Sequence, residues 1–79
     1  MRVRVRYFAI FREAAGVEAE LVETGAADTT GLFAEMTARH AGLHEEPAAL
    51  VAINDEMAGW DSPIRDGDEV LFFPPVAGG

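Results

Sequence analysis

The chain has no cysteine and no lysine. Without cysteine there can be no disulfide staple, no thiolate ligand for zinc or an iron–sulfur cluster, and no thiol nucleophile. Without lysine, all six basic residues are arginines; they stand against fourteen acidic residues, for a formal charge of −8. That sign argues against nucleic acid, whose binding rests on cationic neutralisation of phosphates. It favours a basic protein surface, which an opposite field steers into contact. No apolar run approaches the ~20 residues of a membrane-spanning helix and no signal peptide opens the sequence, so the expectation is a cytoplasmic protein without membrane association. There is no glycine-rich phosphate loop, so ATP has no site of its own here. His40 and His44 have no third ligand arranged near them, and Gly42 falls between them, so no metal site is expected. Asp66-Gly67-Asp68 lacks the other ligand positions of a calcium loop and reads as a turn. The carboxylates are scattered, and none forms an acid–base pair.

What is present is a core. Hydrophobic residues make up 49% of 79 positions, enough for one small domain spanning 1–79, of which 74–79 form an extended tail. Val3, Val5, Tyr7 and Ala9 alternate with Arg2, Arg4 and Arg6, the period of a half-buried strand, with Phe8 placed on the arginine side. Residues 12–16 read as a turn or helical stub. Val17, Ala19 and Leu21 then alternate with Glu18 and Glu20, predicting a second strand that pairs with the first as an antiparallel hairpin. Asp28, Thr29 and Thr30 are N-cap candidates for a helix running to about Ala41, stopped by Gly42, with Leu32, Phe33, Met36 and the later Leu43 on its buried side. Leu50–Ile53 is a short apolar strand, Asn54-Asp55 a turn, and 56–60 another short strand in which Trp60 is a packing residue. Glu69–Phe73 is apolar on both faces, as expected of a strand at the centre of a sheet, beside and parallel to the first. This order of elements predicts an α+β architecture, a β-grasp (ubiquitin-like) mixed sheet with one main helix across one face.

The sequence ends Phe72-Phe73-Pro74-Pro75-Val76-Ala77-Gly78-Gly79. Two prolines fix φ near the polyproline value, remove two amide donors and direct the chain outward in a semi-rigid form. From Pro74 to Gly79 the reach is at most about 17 Å. Glycine without a Cβ suits a narrow channel. The group so delivered is the Gly79 carboxylate, ionised at neutral pH and a poor electrophile, so acyl chemistry on it requires activation, most simply adenylation by ATP.

This ending, together with Arg6-Tyr7-Phe8-Ala9 and Arg12-Glu13, Ala52-Ile53-Asn54-Asp55, and Asp66-Gly67-Asp68-Glu69-Val70, resembles the small subunit of molybdopterin synthase, the MoaD type of the ThiS/MoaD ubiquitin-like sulfur-carrier family. The resemblance spans essentially the whole chain. It implies that Gly79 is adenylated, converted to a thiocarboxylate by a persulfide sulfur donor, and passes sulfur to a cyclic pyranopterin precursor to form the dithiolene of molybdopterin. Gly78 would supply the slim backbone behind it. The implied partners are a large subunit of MoaE type, in a heterotetramer, and an adenylating enzyme of MoeB type that resembles ubiquitin-activating enzymes. ATP and magnesium would be bound by that enzyme, catalytic side chains would belong to the partners, and no cofactor would be held by this chain. A thiamine-type (ThiS-like) carrier and a ubiquitin-like modifier conjugated through Gly79 are alternatives, as is a binding module with an inert tail. Strand parity puts Phe8, Leu71 and Phe73 on the face away from the helix, where they would form a docking patch that Met57 joins and that continues into Pro74, Pro75, Val76 and Ala77.

Overall fold

In the computed structural model, residues 1–75 are described. The chain runs β1 (Arg2–Tyr7), α1 (Ile10–Ala15), β2 (Ala19–Glu23), α2 (Thr29–Arg39), β3 (Leu50–Ile53), β4 (Glu56–Ala58) and β5 (Glu69–Phe73). The five strands form one mixed sheet in the order β2-β1-β5-β3-β4. The β5 strand is parallel to β1 and antiparallel to β3, so the last strand in sequence is the middle one in space.

Each element has a local cause. The Asp28 carboxylate caps α2 by accepting from the Gly31 N–H at 2.8 Å, a bond typically worth about 1 kcal/mol. Thr29 and Thr30 tie the first turn of α2 to the loop after β4, donating to the carbonyls of Gly59 and Trp60. Leu32, Phe33 and Met36 then lie buried on the sheet, at the spacing of one helical face. The β3–β4 hairpin turns on Asn54 and Asp55, both at positive φ, as a tight two-residue turn matched to strand twist requires. The turn into β5 is locked to the start of β1: Asp66 accepts from the Arg2 N–H at 2.7 Å, and the Gly67 N–H donates to the Arg2 carbonyl at 2.8 Å. Gly67 sits at φ +88°, where a Cβ would be strained.

One side of the sheet, with α2 over it, holds the core: Val3, Val5 and Tyr7 of β1, Val22 of β2, Val51 of β3, and Val70 and Phe72 of β5, with Phe11, Leu32, Phe33, Met36 and Leu43. Phe72 is fully buried, with ring centroids 4.7 Å from Phe33 and 5.9 Å from the stacked Trp60.

Four details depart from the sequence reading. The alternation Val17, Ala19, Leu21 does not mark the buried face of β2. In the register Val5↔Glu20 and Val3↔Val22, Glu20 and Val22 share the helix side and Leu21 points away, 64% exposed. A slip of one residue exchanges the faces of a strand. Here Val22 fills the core, and Glu20 is tolerated because other elements bring partners to it. β1 ends at Tyr7, so Ala9 is not on its core face; it is exposed and leads into α1. α2 stops at Arg39 instead of about Ala41, with His40 already extended. Trp60 lies beyond β4, its ring packed against both Phe33 and Phe72 and its indole N–H on the Ala49 carbonyl.

These faces make a direct test. Leu21→Ser should change unfolding free energy by no more than about 0.5 kcal/mol, as at other exposed sites. Val22→Ala should cost roughly 2 kcal/mol through the cavity it leaves. Urea titrations of both variants give the comparison, and a larger loss at Leu21 than at Val22 would reverse the assignment.

Candidate functional site

The side of the sheet opposite α2 is not covered by any described element. Its central row follows from the pairing: Ala19 on β2, Arg6 on β1, Leu71 on β5, Ala52 on β3 and Met57 on β4 lie side by side. Phe73 stands next to Leu50 in the adjoining row. Phe8 lies just beyond β1, its N–H bonded to the Phe72 carbonyl at 3.1 Å. Phe8 is 59% and Met57 64% exposed, while Leu71 and Phe73 are half-buried. All four patch residues read from the sequence therefore lie on or at the rim of this face. Leu21, Leu50 and Ala52 belong to it as well, and only the strand register identifies them.

Backbone geometry sets the rim. Ala9 has φ 53° and ψ −124°, a region costing roughly 1–3 kcal/mol for a residue with a Cβ. It turns the chain out of β1 into α1, where Phe11 is buried as an anchor and Phe8 and Ile10 remain exposed. β5 leaves the sheet at the same end: Pro74 is half-buried and Pro75 exposed. The tail thus departs beside Phe8 and Leu50, from the most supported strand of the sheet. Val76, Ala77, Gly78 and Gly79 lie outside the described residues.

Charges on this face are paired unevenly. Arg2 Nε meets Glu23 Oε1 at 2.8 Å, whereas Arg4 and Arg6 share Glu69, at 3.6 Å and 3.1 Å.

On the opposite side, Glu20 reaches the edge of the core. Its carboxylate accepts from the Tyr7 hydroxyl at 2.7 Å, meets His40 Nε2 at 2.5 Å and accepts from Arg39 Nη1 at 3.2 Å. His40, one of the two histidines set aside as metal ligands, is thus the partner of a carboxylate, edge-on to the Tyr7 ring. Burial is the largest single influence on the Glu20 carboxyl and opposes its ionisation. The hydrogen bonds from Tyr7, His40 and Arg39 together outweigh it and hold the carboxyl below the usual 4.5. Burial, and then the bond to Glu20, push the Tyr7 phenol up.

Two open concavities lie on the described surface. One, of about 230 Å³, is lined by Thr30, Phe33, Glu45, Glu46, Pro47 and Trp60. The other, of about 400 Å³, lies by β4, where Asn54 and Asp68 are already bonded to each other at 3.0 Å. The hydroxyls that line them are bonded to backbone: Thr30 donates to the Trp60 carbonyl, and Ser62 accepts from the Gly59 N–H at 2.9 Å. None of the described helices is long and apolar enough to cross a membrane.

A β-grasp sheet with a central final strand running into a Pro-Pro tail defines a class of small carrier and modifier proteins. This chain belongs to the ThiS family, which it matches over residues 5–79. It is 39% identical to the molybdopterin synthase sulfur carrier subunit of Escherichia coli, over 98% of this chain and 99% of that one. Among solved structures it resembles SAMP1, a small archaeal modifier protein of Haloferax volcanii, at 26% identity and a TM-score of 0.84, each chain covered in full. It also resembles, at 31% identity and a TM-score of 0.69 with full coverage of both chains, a structure of the complex of subunits 1 and 2 of the Helicobacter pylori molybdopterin-converting factor.

The Glu20 cluster gives a pH prediction. Because the folded carboxyl lies below its ordinary value, its contribution to stability is complete above the unfolded pKa and is lost as pH falls through the folded one. Urea midpoints should therefore fall on acidification below about pH 4.5. Glu20→Gln should be less stable than the parent at pH 7, with the difference shrinking in acid; a constant difference would deny the carboxylate this role.

Proposed function

We propose that the chain is the sulfur-carrier subunit of a molybdopterin synthase. The observation that carries this reading is the end-to-end likeness to curated sulfur carrier subunits, at 39% identity across two full chains. In this role the Gly79 carboxylate is adenylated, the acyl-adenylate becomes a thiocarboxylate, and its sulfur is given to a cyclic pyranopterin precursor to form the dithiolene of molybdopterin.

The partners are three: a large subunit of MoaE type, an adenylating enzyme of MoeB type that holds ATP and magnesium, and a persulfide donor. The fold supports such a division of labour. The strand that leads into the tail is held on both sides, by β1 and by β3. Pro74 and Pro75 direct Val76 and Ala77 into a channel of the large subunit, with Gly78 slim enough to follow and Gly79 reacting. Phe8, Met57, Leu71 and Phe73 dock the face from which the tail leaves, each exposed or half-exposed and together apolar enough to serve as anchors. The chain holds no metal or nucleic acid, works in the cytoplasm, and joins the large subunit as a heterotetramer.

A second reading, a protein modifier joined through Gly79 to target lysines, draws support from the likeness to SAMP1. Intact-mass analysis of the chain from its own host separates the two. A carrier shows one oxygen-for-sulfur exchange mapped to Gly79 and co-purifies with a larger subunit. A modifier shows Gly79 in isopeptide linkage to lysines of many proteins. Docking is tested apart from chemistry: Phe8→Ala or Phe73→Ala should weaken binding to the large subunit by on the order of tenfold or more, and unchanged affinity would reject the patch.

A further inference from the structure

Arg2, Arg4 and Arg6 all project from β1 onto the uncovered face of the sheet. Arg2 has Glu23 to itself at 2.8 Å, but Arg4 and Arg6 divide the two oxygens of Glu69: Arg6 Nη1 meets Oε1 at 3.1 Å and Arg4 Nε meets Oε2 at 3.6 Å. Two guanidiniums thus face one carboxylate. The residues directly beside Arg6 are Ala19 and Leu71, and neither side chain can accept a hydrogen bond. This spot is locally cationic in a chain of formal charge −8, and it lies in the central row of the apolar patch.

A guanidinium carries five N–H donors. With the face bare, water serves those that Glu69 does not. Covering Leu71 and Phe8 strips that water, and a cation left without an anion in a dry interface is costly. Extra acceptors alone would satisfy the donors but not the surplus charge, which only an anion can meet. The planar fork matches a carboxylate in two parallel bonds. Resting on the docking role proposed above, we infer that Arg6, with Arg4 beside it, reads a carboxylate on the large subunit. An Asp or Glu of that partner completes the pairing that Glu69 leaves half-made. The partner surface that fits is therefore apolar around one acidic side chain, even where its overall charge is basic. Arg6 sets specificity here: a surface with lysine at that position, or with apolar groups alone, would be rejected.

The test is the affinity of the full chain for the large subunit from the same host, by calorimetry at fixed salt, with Tm recorded for each variant. Arg6→Gln should weaken binding by on the order of thirtyfold or more, as for truncation of one partner of a desolvated charge pair. Arg6→Lys, which keeps the charge but not the fork, should recover only part of the loss, and serves alone if Arg6→Gln does not fold. If Phe8→Ala weakens the complex while both Arg6 variants bind like the parent, docking stands and the role of Arg6 is overturned. If none of the three weakens it, the docking reading falls and takes this inference with it. Arg6→Glu should be rescued by a single Asp or Glu to Arg substitution on the large subunit, and failure of every such pair would likewise overturn it.

Discussion

Phe72 is the side chain on which the rest of the structure depends. Fully buried, it meets Phe33 from α2, Trp60 from the loop after β4, and Tyr7 from β1, with centroids 4.7, 5.9 and 6.4 Å away. Such pairs add to the large burial that aromatic rings already provide. Because β5 also bonds to β1 on one side and β3 on the other, one residue joins helix, sheet centre and loop. The next residue, Phe73, faces the opposite way, and after it the chain leaves the sheet. Core and uncovered face are therefore consecutive positions of one strand, Phe72 and Phe73, and that strand fixes where Pro74 departs.

The two sides of the sheet answer different demands. The helix side is buried and aromatic, and its polar groups are satisfied: among the described residues, no buried side-chain nitrogen or oxygen lacks a hydrogen-bond partner. Glu20 shows the cost of that arrangement, since a carboxylate at the core edge needs a phenol, a histidine and an arginine from three other positions. The uncovered side keeps apolar groups exposed and its charges unevenly matched. In the docking role proposed above, a second protein would supply the cover that this side lacks.

Much of this was legible in the sequence. The Arg/Val alternation of residues 2–7, the Asp28 cap, the Asn54-Asp55 turn and the doubly apolar Glu69–Phe73 each encode their element locally, and the element order then limits the fold. The face of β2 was not legible. Val17, Ala19 and Leu21 alternate as well as any strand, and what decides against them is Val22 opposite Val3, together with the partners that Tyr7, Arg39 and His40 bring to Glu20. Those contacts span 13 to 20 residues, beyond the reach of any local period. The patch was legible by parity from β5, but its extension to Leu21, Leu50 and Ala52 required the register. The shared Glu69 was likewise hidden, because Arg6 and Glu69 are 63 positions apart.

Placing the last strand at the centre of the sheet also governs when the molecule can fold. Until residues 69–73 are available, β1 with β2 and β3 with β4 are two separate hairpins with nothing between them, and Phe33 and Trp60 have no ring to close upon. Pairing Arg4 with Glu69 closes a loop over most of the chain, a long-range contact that forms late and slowly. During synthesis, the nascent chain must therefore remain open until its final strand has emerged. A product cut short before Glu69 would lack the strand between the two hairpins and the Phe72 ring on which α2 and Trp60 pack. The architecture thereby acts as a completeness check, since every molecule that passes into the folded pool has been made at least as far as the strand that launches the tail.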